Sequence, residues 1–196
     1  MILNYNFFEP DNRLDPKKGK VLISEPFLQD NYFKRALILI TEHSDEEGTV
    51  GFVLNKPIDI AINEIIDNFP KSNASLSLGG PVNTNTLHYL HTLGDIIPNS
   101  NKVIGNVNWG GDFDVVERLI TSGNIANSQI KFFLGYSGWS PSQLEKELEE
   151  DAWLVSELSA EEIMAPMNRN YWKRHLESKG VKYKMWSKFP EDPEMN

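Results

Sequence analysis

A serine set between two glycines is the first feature of this chain with chemical potential: Gly135-Tyr136-Ser137-Gly138-Trp139. It comes close to the nucleophile elbow of hydrolases, which exposes a serine on a sharp strand-to-helix turn. That pattern needs a glycine two residues after the serine, and Trp139 stands there instead. A serine nucleophile also needs a base within hydrogen-bond reach. The four histidines, His43, His88, His91 and His175, are all remote from Ser137 in sequence. A tight corner in which Tyr136 and Trp139 fill core space is the stronger reading, and no catalytic residue is assigned.

Anion binding is a second kind of chemistry this chain could carry. Ser140 can cap a helix, with Pro141 at its first position and Gln143 reaching back as a capping-box partner. A helix start of that kind presents unpaired amides to an anion. Asn55-Lys56-Pro57 follows an apolar stretch: Asn55 can bond neighbouring backbone, Pro57 fixes the exit, and Lys56 projects a positive charge. Gly79-Gly80-Pro81 marks another turn. If these turns converge, they form an anion pocket from Asn55, Lys56, Pro57, Gly79, Gly80, Pro81, Gly135, Gly138, Trp139, Ser140 and Gln143. The plainer alternative is that Asn, Pro and Gly occur here because three turns need them. The glycine pair lacks the spacing and the Lys-Ser/Thr ending of a phosphate-cradling P-loop.

His88 and His91, three apart in an expected strand, point to opposite faces. No third ligand stands at motif spacing, so neither a metal nor a cofactor is expected. Glu42-His43 reads as a polar strand end beside a turn.

The elements that must position these groups fit one domain. A chain of 196 residues that is 40% hydrophobic can bury a full core as one unit. It has no cysteine, which excludes disulfide frameworks and thiolate chemistry and fits a reducing compartment. The N-terminus lacks a basic segment followed by a sustained apolar one, and Ala36-Leu37-Ile38-Leu39-Ile40 is far short of a membrane span. A soluble cytoplasmic protein is expected. The formal net charge of −9 opposes general attraction to a phosphate backbone, so direct DNA binding is not favoured. One local exception holds Arg169, Lys173, Arg174, Lys179, Lys182, Lys184 and Lys188 against the single acid Glu177. A solvated surface is the simple account of it, and a docking surface for an acidic partner or nucleic acid the sharper one.

Composition and periodicity predict an irregular arm over 1–18 and a loose tail over 189–196, flanking a domain over 19–188. Strands are expected at 20–24, 35–43, 49–54, 75–78, 86–92, 102–107, 129–134 and 153–155. The second and third form a hairpin across Ser44-Asp45-Glu46-Glu47-Gly48. Helices are expected at 62–69, from Asp112 to Gly123, at 141–150, after Ser159, and at 170–178 with Gly180 as the stop. The mixture implies an α+β domain: a compact central mixed β-sheet flanked by helices, with or without a small subdomain.

Four stretches in order resemble the YqgE/AlgH family of bacterial proteins. They are Ser24-Glu25-Pro26-Phe27 with Asp30 before the long apolar strand, and Thr41-Glu42-His43 with Gly51-Phe52-Val53-Leu54-Asn55-Lys56-Pro57. The others are Gly79-Gly80-Pro81-Val82, and the glycine segment running on through Gln143-Leu144-Glu145-Lys146-Glu147-Leu148 to Trp153-Leu154-Val155. The resemblance implies a small soluble α+β protein with no generally assigned catalytic mechanism, and one branch is described as a transcriptional regulator of exopolysaccharide production. Family members usually carry Ala where this chain has Ser137, and Arg where it has Lys56. The first difference argues against a nucleophile. The second keeps a charge but loses a bidentate fork.

A non-enzymatic regulatory or interaction protein with a protein partner is the leading expectation. A small-anion or nucleotide binder, or a weak hydrolase, is the alternative, and direct DNA binding through 169–188 comes last.

Overall fold

A computed structural model describes residues 14–190, so residues 1–13 of the expected arm and 191–196 of the expected tail lie outside the described residues. In chain order the strands are β1 (Val21–Ser24), β2 (Leu37–Ser44), β3 (Gly48–Val53), β4 (Ser75–Leu78), β5 (Val82–His91), β6 (Asn101–Ile104), β7 (Val107–Trp109), β8 (Ile130–Trp139) and β9 (Trp153–Ser156). The helices are α1 (Phe113–Thr121), α2 (Gln143–Glu149), α3 (Ala160–Met164), α4 (Tyr171–Ser178) and α5 (Val181–Trp186).

The strands form one sheet in the order β6-β7-β5-β8-β3-β2-β1-β9. β4 lies beside the first half of β8, on the side that β3 takes along the second half. The β4–β8 pair is parallel and the other strand pairs are antiparallel, which makes the sheet mixed, as expected. The continuous apolar character of β1 and β2 reflects cover on both faces. Val21, Ile23, Leu37 and Leu39 face a core closed by Ile163 of α3, Trp172 and Leu176 of α4, and Tyr183 and Trp186 of α5. Leu22, Ile38 and Ile40 face the opposite way, against Leu144 and Leu148 of α2. Further along that second face, Phe132 and Tyr89 meet Val116 and Leu119 of α1.

The glycine corner is the first correction. β8 runs through it without turning, and Gly135 serves as a kink inside the strand with φ 63°. A Cβ at Gly135 would lie 2.7 Å from the Val82 carbonyl oxygen and 2.9 Å from that of Gly80, so the neighbouring backbone leaves no room for a side chain. The chain turns later. Gln143 N–H donates to the Ser140 carbonyl at 3.0 Å, Ser142 is left-handed at φ 61°, and α2 starts only at Gln143. Gln143 does reach back, accepting from Ser140 N–H through Oε1 at 3.0 Å, but the Ser140 side chain caps no amide among the described residues.

Three element expectations also change. The helix expected at 62–69 is a single 3₁₀ turn at Ile62–Glu64, because Ile65 stays exposed and Asn68 is left-handed. The strand expected at 102–107 is a hairpin of β6 and β7, turning at Gly105-Asn106 with Gly105 at φ 56°. Gly180 stops α4 as expected, yet α5 begins at the next residue. The Asp112 cap and the Ser159–Glu162 capping box form as expected.

Candidate anion-binding cleft

Asn55 leaves the end of β3 and is buried at 1% exposure. Its Oδ1 accepts from Leu37 N–H at 2.8 Å, and its Nδ2 donates to the Arg35 carbonyl at 2.8 Å. One amide thus fixes the entrance of β2 against the exit of β3. The residues on either side of this clamp are cationic. Arg35 is held left-handed at φ 53°, a conformation that costs a non-glycine residue about 1–2 kcal/mol. Lys56 donates through Nζ to the Asn31 carbonyl at 3.0 Å.

These groups open onto a cleft of about 510 Å³. Lys34 and Arg35 line it from before β2, Lys56 from after β3, Arg169 from just before α4 and Lys173 from its first turn. Pro57, Ile58, Leu78 and Trp172 supply its apolar surface. No Asp or Glu lines it. Lys34, Arg169 and Lys173 make no ion pair among the described residues. A concave surface lined by one sign of charge over a low-dielectric floor concentrates its field, and an oxyanion entering it relieves the repulsion among the cations.

The positions singled out from sequence divide into two groups. Asn55, Lys56 and Pro57 belong to the cleft. Gly79, Gly80, Pro81, Gly135, Gly138, Trp139, Ser140 and Gln143 do not line it. Gly79 offers its carbonyl to Val53 N–H at 2.9 Å and to the Ser137 hydroxyl at 3.0 Å. Gly80 lies so close to β8 that a Cβ would be 2.3 Å from the Tyr136 carbonyl carbon. Ser140 packs beside Gly48 at the opposite end of β3 from Asn55, about 20 Å away at the rise of a strand. The expected convergence of Lys56, Gly80 and the Ser140 amides therefore does not occur. Acidic side chains crowd that other end: Glu147 Oε2 accepts from the indoles of Trp139 at 2.8 Å and Trp153 at 2.7 Å.

Lys34, Arg35, Arg169 and Lys173 were not assigned to this site from sequence. The charge run at 169–188 was the available signal, but it splits in three dimensions. Arg169 and Lys173 face the cleft, Arg174 lies over the Tyr171 ring at 5.2 Å, and Lys182 is buried.

Other polar groups are accounted for by packing. Ser137 is fully buried, with its hydroxyl committed to Gly79. Ser156 and His175 approach at 3.1 Å, yet both are buried, and desolvation pulls the His175 pKa down to about 4. His88 and His91 occupy opposite faces of β5: His88 packs on Phe52 and Trp109, while His91 bonds the Gly110 carbonyl at 2.9 Å. Burial lowers the pKa of both. Among the described residues no three His, Cys, Asp or Glu side chains cluster as a metal site, and no helix is long and apolar enough to cross a membrane.

Comparison with known proteins identifies the family and the fold. The chain is 42% identical over 187 residues to a UPF0301 protein of Parabacteroides distasonis, covering 94% of each. It is 44% identical over 186 residues to a UPF0301 protein of Bacteroides thetaiotaomicron, again covering 94% of each. A crystal structure of a Corynebacterium diphtheriae protein superposes with a TM-score of 0.74 at 22% identity, over 96% of this chain and 100% of that one. The solution structure of the AlgH protein from Pseudomonas aeruginosa gives 0.70 at 23% identity, over 91% and 97%. At such identities the structural likeness is one of fold, and it confirms the α+β class. The AlgH-like family model matches residues 21–184, and the chain belongs to that family.

Proposed function

We propose that this protein is a regulatory binding protein with no catalytic step of its own, and that its ligand is a small oxyanion, a phosphate- or carboxylate-bearing molecule, received in the cleft beside Lys56. The observation that carries this reading is that five cationic residues and no acidic one line the cleft, in a chain of net charge −9. The volume of about 510 Å³ exceeds what a bare phosphate needs and suits a small organic anion. Binding is favoured over turnover because the one motif near a nucleophile elbow buries its hydroxyl inside the sheet. Regulation is the part of the reading that the family resemblance contributes.

The test is a thermal-shift series at low ionic strength with phosphate, pyrophosphate, nucleotides and citrate. A ligand at a hundred times its Kd stabilises the fold by about 2.7 kcal/mol, a readily measured rise in Tm. The expected outcome is stabilisation that falls with added salt and is lost in Lys56→Ala/Lys173→Ala. Equal shifts in that variant, or none in the native chain, would end the reading.

A further inference from the structure

We propose that Arg35 couples the cleft to the C-terminal helix: an oxyanion held there draws the Arg35 guanidinium off the Phe189 carbonyl and loosens the chain that follows α5. This rests on the anion-binding reading and adds a regulatory consequence to it.

Five observations about Arg35 meet at this point. The residue lines the cleft, and its side chain lies 5.1 Å over the Trp172 ring and donates through Nη2 to the Phe189 carbonyl at 2.7 Å. Its Nε is buried and has no hydrogen-bond partner among the described residues. Its backbone is left-handed, held there by Asn55. A buried donor left unsatisfied costs about 1–3 kcal/mol, more when it carries charge. Strain of that kind persists where the surroundings over-determine it, and it concentrates at functional sites.

A neutral carbonyl is a poor match for a guanidinium, since it takes one hydrogen bond from a fork built to give two. A phosphate or carboxylate accepts two parallel N–H bonds, each charge-assisted and roughly twice as strong as a neutral one. An oxyanion brought in by Lys56 and Lys173 therefore competes for Arg35 with Phe189, and it gives Nε an acceptor. The far side of this exchange is a packed turn, with Trp186 and Ser187 buried and Phe189 against the core cluster. The turn after α5 is closed by Lys188 N–H on the Met185 carbonyl at 3.0 Å and Phe189 N–H on that of Trp186 at 3.2 Å, with the Phe189 ring 5.0 Å from Phe27. On α5 itself Val181 is 81% exposed and Met185 41%, while Lys182, Tyr183 and Trp186 are buried. Losing the Arg35 bond removes one tie between this segment and the entrance of β2.

Hydrogen exchange of the full chain, with and without pyrophosphate at fixed ionic strength, tests the coupling, and calorimetry reads binding in parallel. Expected is exchange across 181–190 faster by about threefold on saturation, while the sheet is unchanged or slower. Arg35→Lys keeps the charge but not the fork; it is expected to bind about tenfold more weakly and to show no change at 181–190. Arg35→Gly relieves the left-handed strain, and its 181–190 segment is expected to exchange fast without ligand. Binding to the native chain with unchanged or slower exchange at 181–190, or native-like protection in Arg35→Gly, would overturn the coupling alone. No binding to the native chain at millimolar pyrophosphate would overturn the anion reading and the coupling with it.

Discussion

The Asn55 side-chain amide donates to the Arg35 carbonyl at 2.8 Å while its oxygen accepts from Leu37 N–H, so one buried residue sets both the register of β2 and the posture of the cleft arginine. Removing it orphans the buried Leu37 N–H and the half-buried Arg35 carbonyl together. Asn55→Ala is expected to lose about 2–4 kcal/mol in denaturant unfolding, and to weaken any cleft ligand as well. Asn55→Ala with native stability would show that the clamp is incidental.

The glycine segment separates architecture from site. A Cβ at Gly80 would sit 2.3 Å from Tyr136 backbone atoms, so Gly80→Ala is expected to cost more than about 3 kcal/mol or to prevent folding. Ser137→Ala removes one buried hydrogen bond to Gly79 and is expected to cost about 1 kcal/mol. Anion affinity is expected to stay native in Ser137→Ala, as a titration of both proteins would show. Loss of affinity there would return the serine to the site.

Acid destabilisation has a named source in His175. The free imidazole titrates near 6.5 and the buried one at about 4, with desolvation as the main cause. The unfolded chain therefore takes up the proton first as pH falls, so this residue's contribution is full above pH 6.5 and is lost toward pH 4. It amounts to about 2 kcal/mol once the partial exposure of the ring is allowed for. His175→Gln keeps a polar partner for Ser156 and is expected to flatten the stability profile in that window. An unchanged acid limb would place the titration elsewhere.

Lys131 acts at the other end of the pH scale. It is buried, donates to the carbonyls at the end of α3 (Ile163 at 2.8 Å, Ala165 at 2.5 Å), and desolvation lowers its pKa from 10.5 to about 8. Burial disfavours the charged form, so stability gains as pH rises from 8 to 10.5, by about 3 kcal/mol in all. Lys131→Met lacks this gain. The stability difference between native chain and variant is expected to shift in the native chain's favour across that window, and a constant difference would contradict it.

The fold was largely legible because its signals are local. Apolar runs gave β1, β2 and β3, Asp112 and Ser159 gave their helix starts, and the hairpin turn was readable at Gly48. The failures share a physical origin in tertiary contact. The run at 130–134 continues as strand through Gly135 because the Gly80 and Val82 backbone crowds it there, which no local pattern encodes. The helical spacing of Ile62, Ile65, Ile66 and Phe69 gives only a 3₁₀ turn at Ile62–Glu64, because Ile65 finds no core. At the site, Asn55-Lys56-Pro57 could be picked out by turn chemistry. Arg35 could not, since its left-handed backbone and its bond to Phe189, 154 residues away, exist only in the folded chain.

Calorimetric titration of pyrophosphate into the native chain and into Lys56→Ala/Arg169→Ala, at two salt concentrations, tests the anion-binding cleft most directly. The expected result is one site in the native chain, weaker at the higher salt, and at least about tenfold weaker in the variant. Equal affinity in the two proteins, or no binding to the native chain, would contradict it.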